Sequence, residues 1–193
     1  MNTRAYAISR AALAVAAAMA ASLSLGGEAR AQFTGPGVYV ITSASSRKVL
    51  DLDNSWWRDG VAGMPLIQWD PHGGTNQRFR IVADVGGSFT IRPLHSGQCL
   101  EVRPATGADG ADIQQSPCRP AGGNAAQRFL IGPVLFLQRL NYIQPAGSRT
   151  ALSTRSPSGG DAHHNGARIL LSAYSLDHWR LVNTQFQFTR IGP

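Results

Sequence analysis

The chain has 193 residues and a formal net charge of +7, with 15% of its residues charged and 43% hydrophobic. That length suits one domain with a core of its own. Its arginines are scattered and Lys48 is its only lysine. Without a basic stripe, a mildly basic solvated surface is expected and nucleic-acid binding is not.

Residues 1–31 read as a secretory signal peptide. Arg4 and Arg10 give a positive start, residues 11–25 are apolar apart from Ser22 and Ser24, and Ala29-Arg30-Ala31 is an Ala-x-Ala cleavage site. The apolar run is too short and too Ala-rich for a membrane span, which needs about 20 apolar residues. No stable membrane insertion is therefore expected. The chain is expected to act as residues 32–193, secreted or periplasmic.

From residue 37 onward the pattern is β. Gly37-Val38-Tyr39-Val40-Ile41, Gln77 to Val82, Ser88-Phe89-Thr90-Ile91 and Gln127 to Ile131 are short stretches rich in β-branched and aromatic residues. Turn clusters such as Asp70-Pro71-His72-Gly73-Gly74 and Pro120-Ala121-Gly122-Gly123-Asn124 separate them. No amphipathic helical pattern exceeds one turn.

Three markers recur along these strands in a fixed order. Asn76-Gln77-Arg78-Phe79 returns as Ala126-Gln127-Arg128-Phe129 and, worn down, as Leu176-Asp177-His178-Trp179, so the aromatic steps by 50. Leu50, Leu100 and Leu152 keep pace, as do Gly63 with Leu66, Gly110 with Ile113 and Gly166 with Ile169. A period near 50 means three copies of one supersecondary unit, none able to bury its apolar face alone. With four strands per copy, twelve strands can close a barrel and leave few open edges. The repeated leucines, isoleucines and aromatics, with Trp179 as the third aromatic, form the expected core.

The two cysteines, Cys99 and Cys118, fall in the middle copy of an exported chain, so a disulfide is expected. Neither a C-x-x-C pattern nor an adjacent histidine supports a redox or metal pair.

Taken together, Val49-Leu50-Asp51-Leu52, Leu66-Ile67-Gln68-Trp69, Asn76-Gln77-Arg78-Phe79 and their echoes resemble the ricin B-type lectin family, the β-trefoil with Gln-x-Trp repeats. The resemblance covers about residues 36–184. It implies an all-β trefoil with pseudo-threefold symmetry, binding carbohydrate (a glycan or polysaccharide) without catalysis.

The family's pocket uses a carboxylate, an aromatic and an amide pair in each repeat. In the first repeat the resemblance puts Asp51 at the carboxylate position, Trp69 at the stacking position, and Asn76 and Gln77 at the amide positions. The chemistry fits: a carboxylate accepts from two sugar hydroxyls, an indole offers a flat apolar face, and amides both donate and accept. Ile67 departs from a position that is often Gln in the family. The second repeat offers a lesser site, with Glu101, Gln114 and Gln127 in place, but Ser116 where the aromatic belongs and Ala126 for Asn. In the third, Ser153, Ser172, Leu176 and Asp177 make no constellation. Sugar is thus expected first at the first repeat.

Bland readings stand beside these. Gln77 and Gln127 also suit a buried, hydrogen-bonded amide next to the core aromatic, and Asp51 could cap a turn. Trp69 is not repeated, so the core does not demand it. Trp56-Trp57, beside the first pocket, is a candidate extra platform. His163-His164-Asn165 reads as a solvated loop, since a metal would need more ligands; neither metal nor cofactor is expected. The chain lacks G-x-S-x-G, H-E-x-x-H and phosphate-loop patterns. The pair Asp51 and Asp53 is set aside as a glycosidase dyad, because Asp53 reads as the start of a turn. The alternative to a lectin is a trefoil that binds protein, such as a hydrolase inhibitor, through a long loop at 54–62 or 155–166. A trefoil serving only as a stable body of a surface or envelope protein is the third reading.

Overall fold

The computed structural model describes residues 32–53, 60–134, 137–154, 163–173 and 183–193. Trp56, Trp57, Tyr174, Leu176, Asp177, His178, Trp179 and residues 1–31, where a signal peptide is expected, lie outside them. Twelve strands run along the described chain: β1 (Gly37–Ser43), β2 (Val49–Leu52), β3 (Leu66–Trp69), β4 (Phe79–Ala83), β5 (Phe89–Pro93), β6 (Cys99–Arg103), β7 (Asp112–Ser116), β8 (Phe129–Val134), β9 (Leu137–Pro145), β10 (Thr150–Ser153), β11 (Leu170–Ala173) and β12 (Phe186–Gly192). No helix among the described residues is long and apolar enough to cross a membrane.

Six of the strands, β1, β4, β5, β8, β9 and β12, form a ring that the β12–β1 pairing closes. Three hairpins, β2–β3, β6–β7 and β10–β11, alternate with the ring strands along the chain, and the first joins the ring where Val49 on β2 pairs with Thr42 on β1. This is a β-trefoil. Its ring repeats: Phe79 lies opposite Pro93, and Phe129 opposite Pro145. The hairpins repeat as well. Asp51 faces Ile67, Glu101 faces Gln114 and Ser153 faces Leu170, so equivalent positions in the sequence are equivalent in space.

The recurrent residues form the core. Leu50, Leu100, Leu152, Leu66, Ile113, Ile169, Phe79 and Phe129 are all buried in one cluster. Each such side chain taken out of water contributes about 1.5–3 kcal/mol. Against this core Phe33 packs edge-on to Phe89, with ring centroids 5.0 Å apart, and tilted to Tyr39 and Phe188. The Tyr39 hydroxyl donates to the Gly35 carbonyl at 2.8 Å, which satisfies its polar tip.

Recurrent glycines join the hairpins to one another. Gly63, Gly110 and Gly166 have φ of +88°, +80° and +83°. Their N–H groups donate to the carbonyls of Gln115, Leu171 and Gln68, respectively. Each hairpin thus hands a backbone bond to the next, and the third returns it to the first. A positive φ at this joint favours a residue without Cβ.

Two expected strands start later than predicted. Asn76 and Gln77 lie in a 3-10 turn, Thr75–Gln77, and Ala126 and Gln127 in another, Ala125–Gln127. Neighbours on a strand point to opposite faces. In the tight turn both Asn76 and Gln77 turn inward and are buried.

The expected disulfide is present. Cys99 and Cys118 are bonded, with Cα atoms 5.0 Å apart, inside the usual range.

Candidate functional site

The first hairpin brings Asp51, Asn76 and Gln77 together. Asp51, on β2, is 3% exposed. Its Oδ1 accepts from Asn76 Nδ2 at 2.7 Å and its Oδ2 from Gln77 Nε2 at 2.8 Å. Both amides are tied back to the chain. Asn76 Nδ2 also donates to the Leu52 carbonyl, and Gln77 Nε2 to that of Asp70. Gln77 Oε1 accepts from the N–H groups of His72 and Gly73. Gln77 thus serves the structural role anticipated for it, and the carboxylate as well.

His72 is a third donor to the same carboxylate, and the sequence reading did not single it out. Its Nε2 lies 3.2 Å from Asp51 Oδ2, and its Nδ1 accepts from the Gly74 N–H at 3.2 Å. A nitrogen that accepts carries no hydrogen, so Nε2 carries it and donates to Asp51. The His72 side chain is 46% exposed and lies between the carboxylate and water. Gly74 makes room for this. A Cβ there would sit 2.7 Å from His72 Cε1 and against Asn76 Oδ1.

Burial pushes the Asp51 carboxyl above its ordinary value, against the opposing pull of the bonds from Gln77, His72 and Asn76. A carboxylate offers about four lone-pair positions. Three are taken, two on Oδ2 and one on Oδ1.

Trp69 ends β3 and is 41% exposed. It pairs with Val49, two residues from Asp51, so ring and carboxylate share a face of the hairpin as diagonal neighbours. Such neighbours lie about 7–8 Å apart. Ile67, opposite Asp51, is buried and apolar and offers the site no polar group. Gln68 points the other way, as expected, and accepts from Ser46 Oγ at 2.6 Å.

The second repeat builds a different arrangement. Glu101 is 3% exposed, and its Oε2 accepts from Gln127 Nε2 at 2.6 Å. Its Oε1 pairs with Arg103 Nε at 2.8 Å. The chain's own guanidinium occupies the carboxylate where the first repeat uses Asn76. Gln114 faces Glu101 across the hairpin, while Ser116, at the aromatic position, is buried and offers no stacking face. In the third repeat Ser153 and Ser172 are likewise buried. No group of three or more metal-ligating side chains occurs among the described residues.

A model of the ricin-type β-trefoil lectin domain-like family matches residues 28–116 and 83–172. The chain belongs to that family. Membership supports carbohydrate binding at the level of the family as a whole. Among solved structures, the trefoil is similar to ThreeFoil, a designed 3-fold symmetric protein. The two are 25% identical with a TM-score of 0.67, covering 80% of this chain and 99% of that one. It is also similar to the ricin B-like lectin of Macrolepiota procera, solved in complex with lactose, at 20% identity, TM-score 0.64 and coverage of 83% and 99%. The Rhizoctonia solani agglutinin matches at 17% identity, TM-score 0.65 and coverage of 82% and 98%. No curated protein sequence matches the chain.

Proposed function

We propose that this trefoil is an exported, non-catalytic lectin that binds a neutral saccharide mainly at its first repeat. One observation carries the reading: an exposed, unrepeated Trp69 shares a hairpin face with a carboxylate that three side chains orient. A pyranose stacks its C–H face on the indole. One hydroxyl donates to the open position on Asp51 Oδ1, and a second takes the place of the half-exposed His72 ring on Oδ2. The hydrolase-like pair Asp51 and Asp53 has no part in this. Export would remove residues 1–31, so the secreted chain would begin at Gln32, which intact-mass measurement checks.

The depth of Asp51 favours a second reading. At 3% exposure with three internal partners, the carboxylate also suits a purely structural network, and the trefoil would then meet a protein through its loops.

A glycan array followed by titration separates the two. A single shallow site gives a Kd on the order of millimolar, about −4 kcal/mol. Asp51→Asn and Trp69→Ala should each abolish measurable binding, while Glu101→Gln and Ser116→Ala should leave it intact. An array blank for the parent chain favours the protein-binding reading.

A further inference from the structure

The first-repeat site is bordered by a turn from the third repeat. Asn165 Oδ1 accepts from the Asp70 N–H at 2.9 Å, and Asn165 Nδ2 donates to Asp70 Oδ2 at 2.9 Å. This is a two-way clasp across 95 residues of sequence. Lys48 Nζ holds the other Asp70 oxygen, Oδ1, at 2.5 Å. Lys48 and Asn165 together keep the Asp70 carboxyl below its ordinary value.

Asp70 directly follows Trp69. The backbone on the other side of Trp69 is fixed to the same turn, because Gln68 N donates to the Ala167 carbonyl and Gly166 N donates to that of Gln68. Gly166 also meets the indole, and a Cβ on it would lie 3.6 Å from Trp69 Cζ3. The residue before Trp69 and the residue after it are therefore both held by residues 165–167. His163, His164 and Asn165 are exposed. His164 Nδ1 lies 3.0 Å from the Asn165 carbonyl, which can only accept, so Nδ1 carries the hydrogen and Nε2 remains an acceptor.

We propose that the 163–166 turn is the outer wall of the first-repeat site, with Asn165 as its positioning residue and His164 as a contact for a second saccharide unit. The inference rests on the lectin reading. The inner residues are largely spent on one another: Asn76, Gln77 and His72 all bond Asp51, which keeps one open position. A lone pyranose thus finds an aromatic face and few hydrogen bonds. A second unit extending past the indole edge lies over the exposed turn, where the absence of a side chain on Gly166 leaves room. The favoured ligand is a disaccharide or longer chain.

Two readouts on the purified full-length chain decide this. The first needs no ligand. Asn165→Asp sets two carboxylates face to face and breaks the clasp, and adding Asp70→Asn restores a donor to it. The Trp69 indole N–H resonance, identified by its loss in Trp69→Phe, should shift in Asn165→Asp and return in the double variant. An unmoved resonance overturns the positioning role. The second readout is an array of mono- to tetrasaccharides. Signal should be confined to two or more units, fall at least fivefold in Asn165→Asp and in His164→Ala, and return in the double variant of the clasp. Monosaccharides bound as tightly as their disaccharides overturn the second subsite. An array blank for the parent chain overturns the lectin reading and the subsite with it, while the indole resonance still decides the clasp.

Discussion

Asp51 joins the stability of the chain to its proposed binding through one proton, with opposite signs. Burial raises its carboxyl, so the folded chain holds a proton there more readily than the unfolded chain does. The stability that Asp51 contributes is therefore greatest below the ordinary carboxylate value, near 4. It falls as pH rises from there through the raised folded value. Sugar binding runs the other way, because only the ionised carboxylate accepts two hydroxyls, and it is lost as pH falls through the raised value. Asp51→Asn has no proton to exchange. Urea unfolding of parent and Asp51→Asn across the acid range should give a stability difference that declines as pH rises through that window, while titration of the parent with sugar strengthens. A difference independent of pH would refute the raised carboxyl. At neutral pH a hydrogen bond to a charged group is worth about 1.5–3 kcal/mol, so Asp51→Asn should weaken binding at least tenfold. Gly74 is the neighbouring test. A methyl there meets His72 and Asn76 together, and overpacking costs about 1–3 kcal/mol. Gly74→Ala should lower the unfolding midpoint and weaken binding, whereas Gly73→Ala, which meets nothing within 4 Å but sits at φ +75°, should carry only the left-handed backbone cost of about 1–2 kcal/mol and leave binding in place.

The three hairpins share a backbone but differ in what secures them. The second carries the disulfide, which closes the chain over 19 positions. The first has Val49 and Pro71 at the matching places and relies on packing. In the chain-entropy model such a loop is worth about 3 kcal/mol. The double change Cys99→Ala with Cys118→Ala should lower the free energy of unfolding by about that much, read from urea midpoints at constant slope, and should spare a sugar site on the first hairpin. Hairpin positions were legible in the sequence because their signal recurs: Leu50, Leu100 and Leu152 follow one another at intervals of 50 and 52 and face one core. The turns that hold Gln77 and Gln127 were not. An amide beside an aromatic looks like the start of a strand until its carboxylate partner, 26 residues away in both repeats, is seen. In the sequence His72 is only one residue of a turn cluster, for the same reason. Its significance lies in a bond to Asp51 across 21 residues. Nor could spacing show that Arg103 pairs with Glu101, which sets a guanidinium of the chain at the second carboxylate.

At the scale of the whole molecule the trefoil is closed twice. The barrel closes where β12 pairs with β1, from Val38 opposite Gly192 to Ser43 opposite Phe186. The hairpins close through Gly63, Gly110 and Gly166, each passing one backbone bond to the next unit. These glycines share a left-handed conformation that costs other residues about 1–2 kcal/mol. Gly63 and Gly110 have open space where a Cβ would go, so their substitution isolates the backbone cost. Gly63→Ala and Gly110→Ala should therefore destabilise the chain by similar amounts, about 1–2 kcal/mol each, although they lie in different repeats with different loops. Gly166→Ala carries the same backbone cost, and its Cβ would also touch Trp69. It alone of the three should shift the Trp69 indole resonance. Urea unfolding and indole spectra of the three single variants test both statements. A joint that tolerates alanine at one glycine and not at the others would show that the three units are not closed by equivalent bonds.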